Sequence, residues 1–133
     1  MQDGQTRKVG RETAVPLPAY YMDHRVALVT VAGVTAGNEY ELSQERTTVG
    51  RGPGVDIAFD DTTMSREHAA FEFTDDALRI RDLGSTNGVL LNGGTVLQAE
   101  LKNGDRIELG DHRFQIVLEP REREREAYKL PDD

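Results

Sequence analysis

Residues 63–73 read TMSREHAAFEF. From His68 onward the side chains alternate, with His68, Ala70 and Glu72 on one face and Ala69, Phe71 and Phe73 on the other. Such a period of two marks a half-buried β-strand, because successive side chains on extended backbone point to opposite sides. The residues at the mouth of the strand are of another kind. Ser65, Arg66 and His68 all carry hydrogen-bonding side chains, where a plain turn favours Gly, Asn or Asp. Either these side chains hold the loop together, or they hold something else.

Outward from this strand, similar short runs follow one another. RVALVTVAG, NEYELSQ, RTTVGR and DIAFD precede it; ALRIRDL, GVLLNG, TVLQA, DRIELG and HRFQIVLE follow. Each has the length of a strand. Turn-forming residues separate them: AGN, GPGVD, TDD, GSTNG and NGG, with Asn103-Gly104-Asp105 the strongest turn signal. No helical period of useful length runs through 25–118. Ten or so short strands with regular turns predict an all-β sandwich, in which two sheets bury their inner faces against one another. The flanks differ. Residues 1–24 read as a flexible tail that carries Pro16 and Pro18, with Tyr20 and Tyr21 able to dock on the body. Residues 119–133, EPREREREAYKLPDD, read as a charged, solvated tail. The folded domain is therefore expected over 25–118.

The chain has 133 residues, which suits one domain with a small core. Sixteen basic and 24 acidic residues give a net charge of −8. Segment 25–118 alone carries nine basic and fifteen acidic residues, so no broad basic face is available for nucleic acid. A bound anion would have to be held by a local cluster, against the long-range field. There is no cysteine, hence no disulfide framework and no thiolate chemistry. No apolar run approaches the length of a membrane span, and the N-terminus lacks the apolar stretch of a signal peptide. The expected setting is soluble and cytoplasmic.

Four polar clusters stand out: Gly50-Arg51-Gly52, Ser65-Arg66-Glu67-His68, DLGSTNG at 82–88 and LKNGDRIELG at 101–110. The first begins like a glycine-rich phosphate loop, but no Gly-Lys-Ser/Thr and no helix follows it, so a nucleotide site is not expected. Ser65 and His68 could enter a catalytic triad, yet three residues apart on extended chain they face opposite ways, and no G-x-S-x-G is present. His24, His68 and His112 lack metal-ligand spacing, and His68 reads as a structural residue bonding across the loop base. Enzyme, metal and cofactor readings are all set aside. Read together, Arg51, Ser65, Arg66, Thr86 and Asn87 all lie in inter-strand loops, which a sandwich gathers at its ends. If they share one end, they form a pocket with two guanidinium groups, two hydroxyls and an amide. Arg matches phosphate oxygens with a planar fork, the hydroxyls donate, and Asn can pair with peptide backbone. Such a set binds a tetrahedral anion without turning it over. Taken singly, each residue also has a plain structural reading: Gly50, Gly84 and Gly88 as turn glycines, Ser65 as a cap, Arg51 as a partner of Asp60 or Asp61.

In this order and spacing, VGR at 49–51, SREH at 65–68, DLGSTNGVLLNG at 82–93 and LKNGDRIELG at 101–110 resemble the forkhead-associated (FHA) domain, from Val26 to Leu118. The resemblance implies an eleven-stranded, FHA/SMAD-like β-sandwich and a non-catalytic module that recognises phosphothreonine in a partner chain. It implies phosphate contacts from Arg51, Ser65, Arg66 and Thr86, and a peptide-backbone contact from Asn87. Gly50, His68, Gly84 and Gly88 would support the binding loops. The partner implied is a phosphothreonine-containing protein or peptide, in particular a Ser/Thr protein kinase or its substrate, with the chain serving as an adaptor. The loop FDDTTMS before Ser65 holds no cation besides the site itself, so an acidic residue three after the phosphothreonine is not expected. The rival expectation is a scaffold that binds proteins without phosphate on the same fold. Thr6 and Thr13 stand in the N-terminal tail, and a phosphate on either could draw the tail back into the pocket.

Overall fold

The computed structural model describes residues 18–32 and 36–120. A short helix, α1 (Ala19–Asp23), leads into β1 (His24–Ala32), β2 (Glu39–Glu41), β3 (Arg46–Gly50), β4 (Ile57–Ala58), β5 (Ala69–Phe73), β6 (Leu78–Asp82), β7 (Val89–Leu91), β8 (Gly94–Val96), β9 (Gln98–Leu101), β10 (Arg106–Leu109) and β11 (His112–Pro120). Among the described residues these eleven strands form a five-stranded sheet in the order β9-β6-β5-β3-β4 and a six-stranded sheet in the order β2-β1-β11-β10-β7-β8. The chain is the β-sandwich that the strand pattern predicts. Alternate residues of the two sheets meet inside: Val26, Leu28, Ile107, Leu109, Phe114 and Ile116 from one, and Phe71, Phe73, Leu78 and Ile80 from the other, all buried.

Local chemistry explains the turns. Asn92 and Gly93 both have positive φ, 50° and 91°, which is what a two-residue hairpin between β7 and β8 demands. Asn103-Gly104-Asp105 does turn the chain, but between sheets: β9 and β10 belong to different layers. The turn is tied down by Ile116, which accepts from the Gly104 amide and donates to the Asp105 carbonyl.

One departure lies in β5. Alternation places Ala70 on the outer face, yet it is fully buried. Its cross-strand neighbours are Thr48 and Arg81, whose side chains are both longer than its methyl. Arg81 leans over to Glu72 at 2.9 Å, and Arg46 reaches the same carboxylate at 3.0 Å. Burial pushes the Glu72 carboxyl up, but the bonds from Arg46 and Arg81 outweigh it and hold the group below its ordinary value.

Regular secondary structure is described from Ala19 to Pro120. Tyr21 packs edge-on against Phe73, with ring centroids 5.2 Å apart, and Tyr20 stacks on His24 at 4.2 Å. These rings cover apolar surface that Phe73 would expose at the end of β5, so residues 19–23 dock instead of trailing. At the other end, β11 continues to Pro120, paired with His24. Residues 1–17, with Thr6 and Thr13, and residues 121–133 lie outside the described residues. Among the described residues, no helix is long and apolar enough to cross a membrane.

The end of β3, the start of β5 and the end of β6 stand side by side, through the pairs Val49–Ala69 and Ala69–Asp82. The segments that follow or precede them, 51–56, 59–68 and 83–88, therefore gather at one end of the sandwich, away from α1. The turn at Gly110-Asp111 joins them there through hydrogen bonding to Thr63.

Candidate functional site

At that end a groove of about 360 Å³ is lined by Arg51, Thr62, Thr63, Met64, Ser65, Arg66, Gly84, Thr86 and Asn87. All five predicted ligand contacts are among them, although they come from three separate loops.

Arg51 follows β3 directly. Its amide donates to the Ser65 carbonyl at 2.9 Å, and its side-chain Nε donates to the Met64 carbonyl at 3.1 Å. The Nε bond aims the guanidinium along the groove, and its two terminal nitrogens have no protein partner among the described residues. The pairing with Asp60 or Asp61 considered from sequence does not form. Arg66 is exposed and has no side-chain partner among the described residues either. Two positive charges thus line the groove, and neither is paired with a carboxylate among the described residues.

Ser65 joins the loops. Its hydroxyl oxygen accepts from the Thr86 amide at 2.9 Å. A hydroxyl has one proton and two lone pairs, so the proton remains free to donate into the groove. Asn87 also works inward: its Nδ2 donates to the Thr63 carbonyl at 2.9 Å. One amide proton is therefore spent on the neighbouring loop, while its Oδ1 and second N–H have no protein partner among the described residues.

The supporting residues occupy strained or buried places. Gly50 faces the Arg66 carbonyl so closely that a Cβ would fall well inside van der Waals contact. Gly84 and Gly88 have φ of 81° and 83°, which turns the chain around Ser85. His68 is wholly buried. Its Nδ1 accepts from the Ser65 amide at 3.1 Å, so Nε2 carries the proton and donates to the Gly88 carbonyl at 2.8 Å. Both ring nitrogens are committed to backbone, and the ring binds the Ser65 amide, not its hydroxyl.

Sequence reasoning missed Asp61, Thr63 and His112. Asp61 Oδ1 accepts from the amide and hydroxyl of Thr63, at 2.7 and 2.8 Å, and its Oδ2 meets His112 Nε2 at 2.9 Å. The hydrogen bonds from Thr63, then that from His112, hold the Asp61 carboxyl below its ordinary value. The Asp-x-Thr spacing is a local signal for such a turn. His112 lies 51 residues away and gives no local signal. Among the described residues no cluster of His, Cys, Asp and Glu could hold a metal ion.

The chain is similar to known proteins. The FHA domain family model matches residues 47–110. The glycogen accumulation regulator GarA of Mycobacterium tuberculosis is 35% identical over 117 residues, which span 88% of this chain and 72% of GarA. An oxoglutarate dehydrogenase inhibitor of Corynebacterium jeikeium is 42% identical over 91 residues, 68% of this chain and 62% of that protein. A structure solved in a structural and functional study of phosphothreonine-dependent FHA domain interactions superimposes with a TM-score of 0.67 at 30% identity. It covers 73% of this chain and 99% of the solved one.

Proposed function

The chain belongs to the FHA-domain family, and from that premise we propose that its groove binds phosphothreonine peptides and that the protein acts as an adaptor in Ser/Thr kinase signalling. The observation that carries this reading is the pair of guanidinium groups, on Arg51 and Arg66, that share one groove with the free Ser65 hydroxyl proton. A phosphothreonine brings close to two negative charges and strong acceptor oxygens. Arg51 and Arg66 bind these oxygens, Ser65 donates its hydroxyl proton, and Thr86 lies at the phosphate side. Asn87 offers Oδ1 and its remaining N–H to the peptide backbone. Each charge-assisted hydrogen bond contributes roughly 1.5–3 kcal/mol. Three or four of them, less the cost of ordering a flexible peptide, leave about 8 kcal/mol, or micromolar affinity.

The partner is a phosphorylated protein, a Ser/Thr kinase or one of its substrates. Thr63 turns its hydroxyl inward to Asp61, so the loop before Ser65 offers an acidic side chain further along the peptide no cation, only the neutral Thr62 hydroxyl. A neutral or apolar residue three after the phosphothreonine fits best.

The test is fluorescence anisotropy against degenerate phosphothreonine peptides, with phosphoserine and unmodified threonine versions beside them. Micromolar binding confined to phosphothreonine is the expected result. Equal binding of unmodified peptides would replace this reading with a phosphate-independent scaffold, and no binding at all would remove the groove from consideration.

A further inference from the structure

Behind the groove runs a chain of hydrogen bonds that ends on one of the proposed ligand contacts, Asn87. It starts at His112, the first residue of β11, which is 3% exposed. The ring lies against Phe59 and Phe114, with centroids 4.7 and 6.3 Å away. Its Nε2–H donates to Asp61 Oδ2, and Asp61 Oδ1 holds the amide and hydroxyl of Thr63. From Thr63 the chain divides. The hydroxyl oxygen accepts from the Asp111 amide at 3.0 Å, and the carbonyl accepts from Asn87 Nδ2 at 2.9 Å. Gly110 seats this junction closely, since a Cβ there would lie 2.5 Å from the Thr63 carbonyl oxygen.

Burial gives the imidazole a further meaning. His112 Nδ1 is buried and has no hydrogen-bond partner among the described residues. An unpaired buried acceptor is a loss of stability. A phenylalanine at 112 would stack against Phe59 and Phe114 and leave no such atom. Packing alone would therefore favour the apolar ring, and what the imidazole adds is the Nε2–H that reaches Asp61. The bonds that start there end on Asn87, and Thr63 stands two residues before Ser65.

Resting on the reading of the groove given above, we infer that His112 is a positioning residue for phosphopeptide binding. Through Asp61 it fixes Thr63, and through Thr63 it sets the distance between Asn87 and Ser65 before a ligand arrives. Preorganisation of this kind raises affinity by removing the cost of ordering the loop on binding.

The experiment compares wild type, His112→Phe, His112→Gln and Asp61→Ala, using the tightest phosphothreonine peptide selected by the wild-type chain. Affinity, denaturation midpoint and Thr63 amide exchange by NMR are read on each. His112→Phe keeps or raises the midpoint, yet speeds Thr63 exchange and weakens binding, each by about 10-fold. Gln, whose Nε2 can reach the same carboxylate, restores most of the affinity. Asp61→Ala also weakens binding, although loss of a negative charge would by itself favour an anionic ligand. A folded His112→Phe protein with wild-type affinity overturns the inference. So does a loss of affinity that follows the loss of stability and is not rescued by Gln, as a purely structural role would give. Should His112→Phe fail to fold, wild-type affinity in Asp61→Ala overturns it equally. A wild-type chain that selects no phosphothreonine peptide sinks the groove reading and this inference together, before any variant is compared.

Discussion

The Thr86 amide donates a 2.9 Å hydrogen bond to the Ser65 hydroxyl oxygen, across 21 residues of sequence. This bond does two things. It pins the loop after β6 to the loop before β5, and it turns the hydroxyl so that its one proton is left for a ligand. If the groove binds phosphopeptide as proposed, structural and binding roles meet in a single oxygen.

Ser65→Ala removes both. Thr86 is exposed, so water can take over its amide, and the fold should lose no more than about 1 kcal/mol. Phosphopeptide affinity should fall by roughly 10- to 100-fold, the worth of a charge-assisted hydrogen bond plus the loosened loop. Titration beside a denaturant melt checks both numbers.

Arg51→Ala should abolish most binding while the protein stays folded. Its side chain is exposed, and the structural bond it loses is the one from Nε to the Met64 carbonyl. Arg51→Lys keeps the charge without the planar fork, and should recover only a minor part of the affinity. Wild-type binding by the folded alanine variant would remove Arg51 from the site, and by the lysine variant would show that charge without the planar fork suffices.

Gly50→Ala tests the close approach to Arg66. The added methyl meets a backbone carbonyl, which cannot swing aside as a side-chain end could. Overpacking of this sort costs typically about 1–3 kcal/mol. The midpoint should drop, and residual folded protein should bind weakly because the Ser65-Arg66 segment is displaced. An unchanged midpoint would contradict the geometry.

Affinity should decline as pH falls through about 6, where the ligand phosphate takes up its second proton. The protein's Asp61 does not contribute to that decline. Its carboxyl, lowered by the Thr63 hydrogen bonds and then by His112, stays ionised there; its stabilising effect is lost only as pH falls through its folded value, below the ordinary carboxylate range. The decline should follow the phosphate titration of the free peptide seen by phosphorus NMR. A flat profile from pH 7.5 to 5.5 would argue against dianion recognition.

The aromatic contacts of α1 predict a separation of stability from binding. Removing Tyr20 and Tyr21 together as alanines should cost at least about 1–3 kcal/mol, from their two ring contacts on Phe73 at roughly 0.5–1.5 each, besides the stacking of Tyr20 on His24. Affinity should not move, since Phe73 lies at the end of β5 remote from Ser65. A change in affinity without a change in stability would reverse that assignment.

Much of this was legible from sequence because it is local. Alternation in HAAFEF and RIELG marks strands, since a pleated backbone sends neighbouring side chains to opposite faces. Asn92-Gly93 announces a hairpin through its tolerance of positive φ. His68 could be read as structural, and it does bridge two loops. Ala70 and the pair Tyr20 and Tyr21 were harder. Whether a small side chain is covered, or a flanking segment docks, depends on the size and reach of neighbours from other strands.

By itself, then, the sequence determined the all-β sandwich and the loop positions of Arg51, Ser65, Arg66, Thr86 and Asn87, because strand period and turn chemistry act over a few residues. The tertiary structure alone decided which of their polar atoms are used up. Asn87 spends a proton on Thr63, Ser65 accepts from Thr86, and Asp61 turns to His112 instead of Arg51. Those choices span 21 to 51 residues and follow from how closely separate loops approach once the two sheets have packed. A hydrogen bond forms or fails within a few tenths of an ångström, and no local pattern encodes that distance.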